Sequence, residues 1–259
     1  MDLGIRGRTA IVCASSQGLG KACALALAEA GVSLIINGRN HALLEQTAED
    51  IRRATGVAVT AVAADVSTPE GQAALLAACP APDILINNNG GPPFRDFRQL
   101  DREALLTGVT MNMVTPIELL QKVIDGMATR EFGRIVNITS ISVKMPLAGL
   151  DLSSGARAGL TAFVAGIART VAGQNVTINN LLPGSFNTQR LRDGFAARSK
   201  KTGKAESEMV AQAIEEIPAR RFGTPAEFGQ VCAFLCSVHA SYITGQNLLL
   251  DGGAYPAAF

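Results

Sequence analysis

Short, nearly continuous apolar runs alternate along this chain with longer stretches whose apolar residues recur at helical spacing. The short runs lie at 9–14, 33–37, 58–63, 84–87, 134–139, 177–182 and 246–250. Unbroken apolar runs of this length suit strands covered on both faces. The longer stretches lie at 19–30, 42–55, 69–78, 102–129, 154–172 and 225–237, and their spacing predicts amphipathic helices. Thr224-Pro225-Ala226-Glu227 marks one helix start, with a capping hydroxyl, a proline in the first turn and an acid near the positive end. Alternation repeated this often predicts parallel strands joined by right-handed crossovers. The expected fold is therefore α/β, Rossmann-like and doubly wound, with a seven-stranded parallel sheet. No linker-like segment divides residues 1–259, so a single domain is expected. Only 187–221 breaks the rhythm; it is polar and carries Lys200-Lys201-Thr202-Gly203-Lys204. Open α/β sheets bind ligands beyond their strand carboxyl ends, so this segment is either a substrate lid or a solvated helix pair.

Composition narrows the function. With 47% hydrophobic and 17% charged residues, the chain is not a disordered one. A formal net charge of +1 lacks the footprint of a nucleic-acid binder. No apolar run reaches the ~18 residues of a membrane helix, and Met1–Arg8 lacks the layout of a signal peptide. A soluble, cytoplasmic protein is expected, with neither nucleic acid nor membrane as partner. Cys13, Cys23, Cys79, Cys232 and Cys236 are odd in number and irregularly spaced, which reads as small buried hydrophobes in a reducing compartment. His41 and His239 sit in no ligand-like cluster; no metal site and no histidine-based triad is expected.

Candidate chemistry gathers at the strand ends. Ala14-Ser15-Ser16-Gln17-Gly18-Leu19-Gly20 lies directly between the first strand and the first helix. Gly18 and Gly20 there let backbone amides approach a pyrophosphate at the positive helix end. The second strand ends Ile36-Asn37-Gly38-Arg39-Asn40. A carboxylate at that point would hold a ribose diol, whereas Arg39 suits a 2′-phosphate and hence NADP(H) over NAD(H); a solvated arginine is the other reading. In Ala64-Asp65-Val66, Asp65 either accepts from an adenine amine or caps residues 67–70. Asn87-Asn88-Asn89-Gly90-Gly91 ends the fourth strand with three amides, suited to tying neighbouring backbone together and to lining a cofactor.

Taken jointly, these motifs resemble the short-chain dehydrogenase/reductase family over essentially the whole chain. The family's opening Thr-Gly-x-x-x-Gly-x-Gly corresponds to Cys13, Ala14, Gly18 and Gly20, and its Asn-Asn-Ala-Gly to Asn87-Asn88-Asn89-Gly90. Its catalytic asparagine maps to Asn112 and its serine to Ser140. Its Pro-Gly and threonine map to Pro183, Gly184 and Thr188, the last expected at the nicotinamide carboxamide. The segments 217–225 and 243–253 are similar to 3-oxoacyl-acyl-carrier-protein reductases. By this resemblance Ser15, Ser16, Leu19, Val66, Asn88, Asn89 and Gly90 join Gly18, Gly20, Arg39 and Asp65 as cofactor-binding residues. The resemblance also implies a homo-oligomer, a tetramer formed through the fourth and fifth helices and the last strand.

The departures bear on chemistry. The family's tyrosine falls 13 positions after its serine and its lysine four further on; here those positions hold Ser153 and Arg157. The two tyrosines, Tyr242 and Tyr255, lie in the C-terminal motifs. A serine hydroxyl is a far weaker acid than a phenol, and an arginine, with its pKa above ~12, donates no proton. Its fixed charge still stabilises an alkoxide. A proton would then come from a water held by Ser153 and Ser140, or from Lys144 or Asp151. Ala14 and Asn89 depart as well, the first adding a methyl where positive φ is needed. The expected catalytic set is Asn112, Ser140, Ser153 and Arg157. Two readings follow: an NADP(H)-dependent oxidoreductase acting on a small carbonyl or alcohol with a divergent site, or a catalytically inactive relative serving as ligand sensor or assembly subunit.

Overall fold

The computed structural model describes residues 1–92 and 94–258. Seven strands, β1 (Thr9–Val12), β2 (Ser33–Gly38), β3 (Val59–Ala63), β4 (Ile84–Asn87), β5 (Gly133–Ile138), β6 (Val176–Pro183) and β7 (Asn247–Leu250), form one sheet in the order β3-β2-β1-β4-β5-β6-β7. All pairs are parallel. The chain is thus a single-domain, Rossmann-like α/β fold. The apolar runs are continuous because the inner strands bury both faces. Ala10, Val12, Leu34, Ile36, Ile84 and Ile86 point into one core, while Ile11, Ile35 and Leu85 point into the other.

Helices α1 (Gly18–Glu29), α2 (His41–Thr55) and α9 (Pro225–Cys236) cover the first face; α3 (Pro69–Ala78), α5 (Thr115–Thr129) and α6 (Asp151–Val171) cover the second. Gly229 allows α9 to close on α1, because a Cβ there would strike the Ala22 carbonyl oxygen. The five cysteines are buried and free, and burial pushes the Cys13 thiol up to about 12. Among the described residues, no helix is long and apolar enough to cross a membrane.

One local expectation changes. The stretch 102–129, expected as one helix, is α4 (Arg102–Val109), a π turn over Thr110–Val114, and α5. Pro116 explains the break. It has no N–H to return to the Asn112 carbonyl, and the Thr115 N–H instead reaches five residues back to Thr110. The segment 187–221 holds two helices, α7 (Gln189–Thr202) and α8 (Glu206–Glu215), with α7 ended by Gly203 at φ 72°. Chain order reverses across β1, whose neighbours are β2 and β4. The crevice at that switch point is where a ligand is accommodated in such sheets.

Candidate active site

The turn after β1 is built around Asn37. Its Oδ1 accepts from the Ala14 N–H at 3.3 Å, and its Nδ2 donates to the carbonyls of Val62 and Ala64 at 3.0 Å each. One side chain therefore locks the ends of β1, β2 and β3. Ala14 takes φ 43°, the strained left-handed backbone that its methyl disfavours. Asn88 Nδ2 steadies it by donating to the Ala14 carbonyl at 3.1 Å. Gly20 is needed for packing, since a Cβ there would meet that same carbonyl oxygen. Gly18, at φ 61°, faces open space with only a Thr188 methyl 3.9 Å from an added Cβ. Gln17, which caps α1, makes no side-chain cap, and no acid sits in the first turn. The first amides of α1 are thereby left for an anionic ligand.

Two expected cofactor contacts are placed differently. Ser15 is fully buried, donating its hydroxyl to the Val12 carbonyl at 2.7 Å and accepting from the Asn37 N–H at 3.1 Å. Val66 packs in the core beneath α5 and α6. Their side chains are committed to the interior, so backbone is what they offer a ligand at the turn. Ser16 and Leu19 are half-buried at the turn, with Thr47 Oγ1 donating to the Ser16 carbonyl at 2.8 Å.

Beyond β2 and β3 lies a cleft of about 690 Å³ whose lining includes Arg39, Asp65, Ser67 and Asn89. Arg39 is well exposed and stands 3.9 Å from Asp65. Hydrogen bonds from the Ser67 hydroxyl, then its N–H, hold the Asp65 carboxyl below the usual range against partial desolvation, and the Arg39 charge adds to this. Asp65 thus caps its own turn and also faces the cleft.

The amides after β4 divide their work. Asn88 serves the β1 turn; Asn89 Nδ2 donates to the Met111 carbonyl at 3.3 Å while its Oδ1 accepts from Gly90 N–H at 2.8 Å. Asn112, presented by the π turn, donates to the Gly90 carbonyl at 3.2 Å. Asn87 begins a ladder not foreseen from sequence. Asn87 donates to Asn137 Oδ1, Asn137 to Asn180 Oδ1 and Asn180 to Asn247 Oδ1, at 2.9, 2.9 and 2.8 Å. The four residues are register partners across β4, β5, β6 and β7. Their common signal was an asparagine within or at the end of each apolar run. At the β4 end, Asn87 Oδ1, Asn112 Oδ1 and Thr115 Oγ are buried without a protein partner. All three residues line a cavity of about 20 Å³, together with Arg157, which is room for one water molecule.

Ser140 follows β5 in extended backbone (φ −165°), its Oγ accepting from the Ser142 N–H at 3.1 Å. That leaves its hydroxyl hydrogen to donate. One helix turn apart on α6, Arg157 Nε donates to Ser153 Oγ at 3.2 Å, and Arg157 Nη1 donates to the Ile138 carbonyl at 2.7 Å. Burial pulls the Arg157 guanidinium down to about 10, and repulsion from Arg190 adds to it. Sequence reasoning missed Arg190. It projects from the first turn of α7, and its Nη1 reaches the Gly91 carbonyl at 3.5 Å. Thr188 caps α7, accepting from Leu191 N–H at 3.3 Å. Gly184, after Pro183, has no room for a side chain against Asp251. Lys144 stands over the Tyr255 ring, 5.5 Å from its centroid.

A parallel sheet with a glycine turn, an uncapped first helix and polar groups gathered at the switch point defines a doubly wound dinucleotide-binding protein. The chain belongs to the short-chain dehydrogenase/reductase family: the family profile described as "Enoyl-(Acyl carrier protein) reductase" matches residues 13–255. It is similar to the NADPH-dependent reductase BacG of Bacillus subtilis, 34% identical over 252 residues, covering 95% of this chain and 97% of that one. It is also similar to the 3-oxoacyl-(acyl-carrier-protein) reductase FabG of Vibrio cholerae, 32% identical over 257 residues, 98% of this chain and 99% of that one. Among solved structures, L-sorbose reductase from Gluconobacter frateurii, complexed with NADPH and L-sorbose, matches with a TM-score of 0.94 at 28% identity, covering 99% and 100% of the two chains.

Proposed function

We propose that this protein is an NADPH-dependent reductase of a small carbonyl compound, working without the tyrosine and lysine usual in its family. The observation carrying this reading is the Arg157 guanidinium, bonded to Ser153 and to the end of β5, on the wall of the small cavity it shares with Asn112. BacG, an NADPH-dependent reductase, and L-sorbose reductase, complexed with NADPH, support it. The crevice suits that cofactor. Gly18 leaves open space before the free amides of α1, and Arg39 and Asp65 line the adjoining cleft. Arg39 would hold a 2′-phosphate and Thr188 a carboxamide, and the backbone of 88–90 would line the ribose. NADPH, when bound, supplies the hydride.

The chain's own part is to bind, orient and stabilise charge. Ser140 donates a hydrogen bond to the substrate oxygen, and Arg157 stabilises the negative charge that builds there. Asn112 fixes the Gly90 carbonyl and with it the loop after β4. The proton reaches the oxygen from water, since Ser153 is too weak an acid and Arg157 remains charged through neutral pH. Losing a general acid typically costs about 10²–10⁴-fold, so turnover is slow. The pair α7 and α8 acts as a substrate lid. The exposed Leu105, Leu106 and Phe163 on α4 and α6 suit a homo-oligomeric contact.

The test is NADPH binding followed by its oxidation with a panel of carbonyls, in the wild type and in Ser153→Tyr with Arg157→Lys. Binding with slow turnover, raised by the double change, is the expected result. Tight binding with no turnover in either protein would favour the sensor or assembly-subunit reading. Failure to bind either nicotinamide cofactor ends the proposal.

A further inference from the structure

Two guanidinium groups stand at this end of the sheet with no carboxylate to answer them, Arg157 on the wall of the small cavity beside Asn112 and Arg190 exposed on α7. Among the described residues, neither Arg157 nor Arg190 makes an ion pair, whereas Arg39 and Arg221 each face an acid. Arg134 offers a second contrast. Almost wholly buried, it spends its guanidinium on four oxygens, those of Ser237, Gly133 and Asn175. Arg157 has two acceptors, and Arg190 a single contact at 3.5 Å. The two feel one another, because Arg190 contributes to the depressed pKa of Arg157.

Their position separates them from the cofactor's phosphates. The free amides of α1 lie beside Thr188, on the β1 side of the crevice. Arg190 reaches the other way, to Gly91 beyond β4, and Arg157 is fixed to the last residue of β5. Both charges therefore stand on the β4–β5 side, where a reacting carbonyl must lie to meet Ser140.

Building on the reductase reading, we propose that Arg157 and Arg190 form an anion cradle that selects carbonyl substrates bearing a free carboxylate near the reacting carbon. An oxo acid presents two oxygens that a guanidinium binds in fork geometry, and a neutral ester or thioester does not. Arg157, at the floor, faces the reacting oxygen; Arg190, entering with α7, holds the carboxylate and draws the lid over it. Arg190 is thus a specificity residue.

The experiment compares acetoacetate and 2-oxobutanoate with their neutral esters, following NADPH oxidation by wild type, Arg190→Gln and Arg190→Lys. The acids are expected to exceed the esters about tenfold in kcat/KM, the scale of one charge-assisted hydrogen bond. Arg190→Gln should raise KM for the acids about tenfold and leave kcat and the esters nearly unmoved. Arg190→Lys should recover part of the loss, and NADPH affinity should change less than twofold. Equal use of acids and esters overturns the cradle. So does an Arg190→Gln variant that loses NADPH affinity with its acid-to-ester ratio intact, which would assign the charge to the cofactor. If no carbonyl turns over, the reductase reading fails by itself. Acetoacetate is then titrated into the protein–NADPH complex and cofactor fluorescence read, with no tryptophan in the chain to interfere. Saturable binding of the acid, lost in Arg190→Gln and absent with the ester, upholds the cradle; no binding up to millimolar acid overturns it.

Discussion

Replacing Arg157 with methionine separates what its charge does for the reaction from what it does to the fold. The drop from an ordinary value above ~12 to about 10 corresponds to at most about 3 kcal/mol for holding the charge in place. The sign follows from linkage. Below pH 10 folded and unfolded chains both carry the proton, and the full penalty is present. Between about 10 and the unfolded value, the unfolded chain binds a proton that the folded one has released, so stability rises with pH. Methionine removes the penalty and keeps the side chain apolar and flexible. It gives up the bonds to Ser153 and to the Ile138 carbonyl, each worth about 0.5–1.5 kcal/mol, with somewhat more for a carbonyl left unpaired. The two sides nearly cancel, leaving a net change within about 2 kcal/mol, or about 4 °C in Tm for a chain of 259 residues. An arginine that formed half of a buried ion pair would instead cost about 3–5 kcal/mol on removal. Thermal unfolding at pH 7 reads the difference, beside NADPH oxidation, which should fall about 10²–10³-fold with the loss of charge stabilisation. A Tm loss above about 6 °C would refute the claim that the protein leaves this charge unanswered.

Other expectations concern the surroundings of the site. Asn137→Leu removes two bonds from the middle of the amide ladder and strands Asn180 Oδ1, so chemical denaturation should register a loss of about 2–4 kcal/mol. Asn247→Ala, at the exposed end, should cost under about 1 kcal/mol because water replaces it; equal losses would dismiss the ladder as a unit. Arg39→Gln should weaken NADPH about tenfold and leave NADH unchanged, read by cofactor titration. Glu227, drawn down to about 2 by its bonds with Arg221 and Thr224, stabilises the α9 start above the unfolded carboxylate range. That contribution is lost as pH falls through about 2, and an acid unfolding curve for Glu227→Gln should be flatter there than for wild type.

Much of the architecture was legible because of one physical constraint. A strand buried on both faces cannot carry many polar groups, so Ile84–Asn87 and its counterparts stand out from any neighbouring helix. The first glycine turn was legible for a similar reason, since Gly18 and Gly20 sit directly after such a run. What escaped was non-local or depended on a single missing donor. Asn87, Asn137, Asn180 and Asn247 are far apart in sequence, and only strand register brings them into line. The π turn was written in Pro116, whose lost N–H matters only once its partner carbonyl is known to be that of Asn112. At Ser15 the motif did not show that the hydroxyl closes the turn, leaving the backbone to face a ligand. Arg190 sat in a polar stretch with no periodicity to mark it.

The ladder and the arginines bear on each other. A protein can answer a buried cation by moving a carbonyl or an amide oxygen toward it. Near Arg157 that route ends with the Ile138 carbonyl and the Ser153 hydroxyl. Asn137 is held between Asn87 and Asn180, the Gly90 carbonyl is taken by Asn112, and the Met111 carbonyl is taken by Asn89. The oxygens of Asn87 and Asn112 that lack partners belong to side chains fixed through their amide nitrogens. The wall of the crevice is thus rigid because its own hydrogen bonds run along the sheet and the loop. A charge set into such a wall keeps its deficit until something enters with a negative oxygen. On the proposed reductase reading, preorganisation of this kind costs stability in the resting protein and returns it when charge develops on the substrate. Anion binding should accordingly raise Tm by more in wild type than in Arg157→Met, with NADPH present in both, and equal shifts would separate the rigidity of the wall from the function assigned to it.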